Sequence, residues 1–159
     1  YEVREGATFF YDIPTRKFQK VPGQDAFIIL DNIRKTRQVF KNSGVVVEDL
    51  GDGILNIEFR SKMNTIGGDV LAGLNKAVDL AEANYRGLVV GNQAANFSVG
   101  ANIGMIFMMA VEQEYDELAM ATKYFQDTMM RMRSTLMPAR RAASGSMPPL
   151  VFSSISISR

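Results

Sequence analysis

Gly87-Leu88-Val89-Val90-Gly91-Asn92-Gln93-Ala94-Ala95-Asn96-Phe97-Ser98-Val99-Gly100-Ala101-Asn102-Ile103 decides the fold. An apolar run of the length of a buried strand closes at Gly91, and a polar loop leads through Phe97 to the small pair Gly100-Ala101, just before a long helical pattern. The order is strand, loop, helix start. Small residues there let a ligand approach the backbone, and N–H groups at a helix N-terminus point outward toward an anion or a polarised carbonyl oxygen. Gly100-Ala101 is therefore a candidate oxyanion site.

Upstream, the β-branched run Gly44-Val45-Val46-Val47 meets the turn Leu50-Gly51-Asp52-Gly53-Ile54 and a second run from Ile54 to Phe59. Asp-Gly between apolar runs is a hairpin signal. Asn56 and Glu58 alternate with Leu55, Ile57 and Phe59, which predicts one buried and one wet face. Val70, Leu71, Leu74, Ala77, Val78 and Ala81 fall at helical spacing and predict an amphipathic helix over 68–84. Asp69 near its start suits the dipole, and Gly87 lies just past its end. The resulting β-β-α-β order requires a right-handed crossover. After Ile103 a second helical region runs to Arg133 with a break near Ala110. Val111, Tyr115, Leu118, Thr122, Phe125, Met129 and Met132 form its stripe.

Composition limits the chemistry. The chain has 159 residues, 47% hydrophobic and 22% charged, which suffices for one core. A net charge of +1 gives no global field toward nucleic acid or an anionic membrane. With no Cys and no His, neither a disulfide framework, a Ser-His-Asp or Cys-His nucleophile system nor a His-ligated metal site can be built, and no metal site is expected. No apolar run reaches membrane-spanning length and no signal-peptide pattern opens the sequence, so a cytoplasmic location is expected.

Seven of the ten Met residues lie between 105 and 132. They suit a pliable wall for a variable acyl chain, but ordinary core filling is the preferred reading. Glu112, Glu114, Asp116 and Glu117 are read as a solvated helix face in preference to a general acid/base pair. Residues 1–24 read as short extended segments with turns at Asp12-Ile13-Pro14 and Val21-Pro22-Gly23. The stretch 26–40 fits a short helix or an extended connector equally well.

The run Phe97-Ser98-Val99-Gly100-Ala101-Asn102-Ile103, the hairpin from Asp49 to Phe59 and the loop Lys62-Met63-Asn64-Thr65 together resemble the crotonase (enoyl-CoA hydratase/isomerase) superfamily. The closest likeness is to the hydratase part of multifunctional fatty-acid oxidation proteins. The fold class implied is α/β, the N-terminal part of a crotonase-like (ClpP/crotonase) ββα spiral with an opening β-hairpin. Residues 1–43 are an N-terminal extension or linker, 44–133 a partial crotonase-like domain, and 134–159 a divergent Ser/Arg-rich tail with a short strand from Leu150 to Ile157.

The resemblance implies hydration of trans-2-enoyl-CoA to 3-hydroxyacyl-CoA, in a protein that can also carry 3-hydroxyacyl-CoA dehydrogenase activity. The backbone N–H of Ala101, with Gly100 beside it, would be one of two oxyanion donors to the thioester. Lys62, Met63, Val99, Ala101 and Ile103 would meet coenzyme A. Where the family has Asp, this chain has Asn102. No cofactor is implied for this segment, with NAD belonging only to a separate dehydrogenase domain that no Gly-x-Gly-x-x-Gly turn marks here. The implied partners are an acyl-CoA and further copies of the chain, as a trimer or hexamer where the fold is complete, with no nucleic acid and no membrane.

In the family a second donor and two glutamates follow residue 134, whereas residues 134–159 contain no acidic residue. An enoyl-CoA isomerase and a non-catalytic or truncated acyl-CoA-binding fragment therefore stand beside the hydratase reading.

Overall fold

A computed structural model describes residues 1–4, 7–23 and 28–135. The proposed strand from Leu150 to Ile157 and the tail beyond residue 135 lie outside the described residues.

The aromatic-polar alternation near the start forms three short strands, β1 (Glu2–Arg4), β2 (Ala7–Asp12) and β3 (Lys17–Lys20), in one antiparallel sheet. The undecided stretch resolves into both alternatives in turn, a short helix α1 (Leu30–Arg34) and a strand β4 (Gln38–Lys41). Next come the hairpin strands β5 (Val45–Gly51) and β6 (Ile54–Phe59). Asp52 and Gly53 join them at φ of 54° and 76°, since a two-residue turn that matches strand twist needs positive φ at both positions.

A 3₁₀ turn (Lys62–Asn64) and the two-residue strand β7 (Thr65–Ile66) lead into the helix α2 (Gly68–Asn84), with the bounds its periodicity predicts. Strand β8 (Gly87–Val90) returns parallel to β6, completing a sheet of order β4-β5-β6-β8. Strand β9 (Gly100–Ala101) pairs parallel with β7, and two helices follow, α3 (Ile103–Val111) and α4 (Tyr115–Thr135). Gln113, at φ 60°, sits in the break between them.

Register assigns the faces of the sheet. Val45 lies opposite Phe59, Val47 opposite Ile57 and Asp49 opposite Leu55, so the large apolar residues share the face that packs on Val70, Leu74, Ala77 and Val78 of α2. Helix and sheet approach closely where Gly73 faces Val45. A Cβ added at Gly73 would stand 2.2 Å from Val45 Cγ2. Gly73→Ala gains about 1 kcal/mol of helix propensity but drives a methyl group into a fully buried β-branched neighbour, an overpacking that costs about 1–3 kcal/mol. Net destabilisation of up to about 2 kcal/mol is expected by urea unfolding, and a stabilised variant would mean that α2 can move away freely.

The opposite face corrects the sequence reading. Asn56 and Glu58 are not wet: each is only 2% exposed, and Glu48 beside them is fully buried. Glu48 faces Asn56 and Val46 faces Glu58 across the hairpin. Helix α1 covers this face, and Arg34 reaches from it to Glu58 with Nη2 at 2.7 and 3.0 Å and Nε at 3.0 Å. Buried carboxylates persist only when paired and hydrogen-bonded, and here the pair arrives from 24 residues upstream.

Helix α4 lies along α2 through polar contacts at helical spacing. Asn75 Nδ2 donates to Thr128 Oγ1 at 2.9 Å, Arg131 pairs with Asp79 at 2.5 Å, and Thr135 donates to Glu82 at 3.0 Å. The apolar stripe from Val111 to Met132 is buried only in part: Met132 is in the core and Phe125 and Met129 pack against it, but Val111, at the end of α3, and Tyr115 are exposed. Core filling also fails for most of the methionines, since Met105, Met108, Met120 and Met130 are half-exposed or more. No residue of α3 is buried. Among the described residues no helix is long and apolar enough to cross a membrane.

Candidate functional site

The site is built where the loop after β8 meets the loop after β6. Asn92, at the start of the first, is buried, and its side chain spans both segments. Its Oδ1 accepts from the Phe59 N–H at 2.7 Å and its Nδ2 donates to the Phe97 carbonyl at 2.7 Å. Phe97 packs its ring against Phe59, centroids 5.7 Å apart, and so anchors the loop to the core.

The second loop turns through two left-handed residues, Met63 and Asn64, both at φ 55°. Asn64 Nδ2 donates to the Asn96 carbonyl at 2.9 Å, and the Ser98 hydroxyl donates to the Asn64 carbonyl at 2.6 Å. Ser98 Oγ in turn accepts from the Gly100 N–H at 3.0 Å. Thr65 then pairs with Gly100 and Ile66 with Ala101.

The pair Gly100-Ala101 therefore lies in a short parallel bridge just before the helix start, the place the sequence reading gives it. Gly100 takes φ 87°, which a residue with a Cβ rarely adopts. Helix α3 starts two residues after Ala101, with Asn102 as N-cap accepting from the Met105 N–H at 3.3 Å. Asn and Asp cap helices about equally well, so Asn102 caps α3 as an Asp would, without the charge.

Ala101 and Asn102 line a cavity of about 530 Å³. Ile66, Leu71, Met105, Ile106, Met109 and Phe125 supply much of its apolar lining. That volume lies within the range of small-molecule sites, and a lining of aliphatic and thioether groups accepts a hydrocarbon chain.

The remaining sequence-predicted residues divide. Lys62 and Met63 are exposed on the same pair of loops as Val99, which is also exposed, and none of the three lines the cavity. Ile103 is exposed at the first turn of α3. The acidic group Glu112, Glu114, Asp116 and Glu117 is exposed at the corner between α3 and α4 and outside the cavity, the arrangement of a solvated face. The Glu114 carboxyl is held above its usual range, mainly by the charge of Glu117, then by partial desolvation and by Glu112. Among the described residues no group of three or more His, Cys, Asp or Glu is placed to hold a metal ion.

Asn64, Asn92 and Ser98 position the loops and escaped the sequence reading. Their only sequence signal was an Asn or a Ser in a loop, residues whose side chains hydrogen-bond nearby backbone.

No family model matches the chain. It is 37% identical over 146 residues, 91% of its length, to a probable 3-hydroxyacyl-CoA dehydrogenase of Bacillus subtilis (strain 168), of which it spans 18%. Among solved structures it is similar to an enoyl-CoA hydratase from Thermoplasma volcanium GSS1, at 27% identity and TM-score 0.39 over 49% of this chain and 32% of that one. It is also similar to the ECH2 decarboxylase domain of CurF from Lyngbya majuscula, at 21% identity and TM-score 0.38 over 43% of this chain and 30% of the other. DspI of Pseudomonas aeruginosa matches at 27% identity and TM-score 0.37, over 43% and 28%. The chain thus spans less than a third of the length of each of these four proteins.

Proposed function

We propose that this chain, which resembles the crotonase (enoyl-CoA hydratase/isomerase) superfamily over the N-terminal portion of its fold, is the acyl-CoA-binding segment of a fatty-acid β-oxidation enzyme of the enoyl-CoA hydratase type. The observation that carries the reading is the place of Ala101, on a loop clamped to the Lys62–Thr65 segment and in the lining of an apolar cavity. A fatty acyl chain would enter the cavity and bring its thioester carbonyl to the Ala101 backbone. The Ala101 N–H would donate to that oxygen, where negative charge gathers as an enolate forms, so the interaction strengthens toward the transition state. Polarisation of the enoyl system makes C3 electrophilic to water, and a proton is delivered to C2.

Gly100 supplies the backbone freedom that brings this N–H into place. Lys62 would face the coenzyme A phosphates, with Met63, Val99 and Ile103 along its pantetheine arm. Hydration is assigned to the whole protein, together with a second donor and paired carboxylates outside residues 44–133. Any dehydrogenase step and its NAD belong to a separate domain, and a cytoplasmic location follows the same reading. Assembly as a trimer or hexamer is part of the proposal, and the exposed apolar side chains of α3 support it, because large apolar patches usually mark contact surfaces.

Ala101→Pro deletes the proposed donor. Loss of one oxyanion donor typically lowers turnover on the order of a hundredfold or more, so crotonyl-CoA hydration by the whole protein should fall by that factor. Calorimetric titration of this chain should show crotonyl-CoA bound more tightly than free coenzyme A, a preference that Ala101→Pro abolishes. Equal binding of the two by the unmodified chain would sink the reading. Migration of a 3-enoyl double bond without net hydration would replace hydratase by isomerase.

A further inference from the structure

We propose that Asn64 and Ser98 are positioning residues that act as a clamp, fixing the direction of the Gly100-Ala101 backbone where Ala101 lines the apolar cavity. The inference deepens the acyl-CoA reading and rests on it for what the clamp is aimed at. The clamp itself rests on geometry. Asn64 is a non-glycine residue in the left-handed region, is nearly buried, and follows another left-handed residue, Met63. Backbone held in such a region persists only where surrounding contacts over-determine it, and such residues gather at working sites.

The contacts are present and reach one loop only. The Asn64 side chain holds the Asn96 carbonyl, and its main chain holds the Ser98 hydroxyl. Ser98 closes the circuit by accepting the Gly100 N–H. One hydroxyl thus ties residue 64 to residue 100 by two hydrogen bonds in series, at a point where Gly100 has the least intrinsic preference for any one direction.

The circuit has a chemical consequence at the next residue. With the Gly100 N–H committed to Ser98, that amide is not offered to a ligand, and the acyl-CoA reading assigns the donor at this bend to the Ala101 N–H. A donor aimed a few tenths of an ångström away from a thioester oxygen still permits coenzyme A to bind elsewhere on the rim, but loses what distinguishes the thioester. The clamp is therefore expected to govern discrimination of acyl-CoA from coenzyme A, and not affinity for the nucleotide.

Four variants of the full chain test this. Asn64→Gly removes the side-chain amide while accepting φ 55°, and Ser98→Ala removes the hydroxyl. Ser98→Thr keeps it, and Asn64→Asp keeps the shape but replaces the amide donor with an acceptor. Backbone amide exchange by NMR reads the clamp without any ligand. Ser98→Ala and Asn64→Gly should accelerate exchange of the Gly100 amide about three- to tenfold, the range expected for losing one net hydrogen bond, while amides of β6 and α2 are unchanged.

Crotonyl-CoA and free coenzyme A are then titrated separately. The preference for the thioester should fall about three- to tenfold in Ser98→Ala, Asn64→Gly and Asn64→Asp, return in Ser98→Thr, and leave coenzyme A affinity unchanged. Unchanged Gly100 exchange in both Ser98→Ala and Asn64→Gly overturns the clamp. Faster exchange with the thioester preference intact overturns its positioning role while sparing the acyl-CoA reading. Absence of any thioester preference in the unmodified chain overturns that reading and the positioning role with it, whereas the exchange result still stands for the loop.

Discussion

Replacing Arg34 by Ala is expected to destabilise the protein by about 3 kcal/mol, the low end of the range for removing one partner of a buried ion pair. The low end applies because the Arg34 side chain is itself one-fifth exposed. The loss is not that of a surface bridge, because Glu58 and Glu48 lie beneath it, out of water. Arg34 gives Glu58 three hydrogen bonds, and its Nε stands 3.8 Å from Glu48 Oε1. Without it, Glu58 keeps only the exposed Arg60 at 3.5 Å.

A comparison within the same pair separates charge from packing. Arg34→Met with Glu58→Leu removes both charges and retains most of the volume, so the double variant should recover most of the lost stability. Urea unfolding of the single and double variants measures both. A loss below about 1 kcal/mol in Arg34→Ala would place the pair among ordinary solvent-screened bridges and would mean that α1 does not seal this face of the sheet.

This covered face also marks how far the sequence could be read. Helix α2 was legible to the residue, because Val70 through Ala81 repeat with the helical period and local signals stand at both ends. The Asp52-Gly53 turn and the return strand from Gly87 were legible for the same reason, since each is set by neighbours in sequence. Asn56 and Glu58 were misread because a period of two shows that one face is polar and not what covers it. Their cover is Arg34, and no local pattern in 26–40 announced it. At the candidate site, the special character of Gly100-Ala101 was legible from residue size. Its pairing with Thr65-Ile66 and the ties to Asn64 span more than thirty residues, a relation only the folded chain displays. Helix α3 is the converse case, an apolar sequence for which core burial was the natural expectation and which is exposed among the described residues.

The same polar face should make stability depend on pH, with the opposite sign from an ordinary carboxylate pair. Glu48 is fully buried; Asn56 donates to its Oε2 at 3.0 Å, and its Oε1 has no hydrogen-bond partner. Burial pushes its carboxyl up from 4.5 to about 7. The Asn56 hydrogen bond opposes the rise, the charge of Glu58 adds to it, and Arg34 and Arg60 oppose it.

Between those two values the folded protein keeps a proton that the unfolded chain has released. This contribution is therefore fully present below about pH 4.5 and is lost as pH rises through about 7. Its full size is on the order of 3 kcal/mol. Glu48→Gln keeps the shape without the titration, so subtracting its unfolding free energy from that of the unmodified chain cancels the other carboxylates. The variant should gain steadily on the parent from pH 5 to pH 8, by an amount approaching 3 kcal/mol. Arg34→Ala removes a cation that favours the ionised form, so in that background the gain should begin at lower stability and extend to higher pH. Parallel pH curves for parent and Glu48→Gln would show that Glu48 is ionised in the folded state and that Arg34 neutralises both carboxylates beneath it.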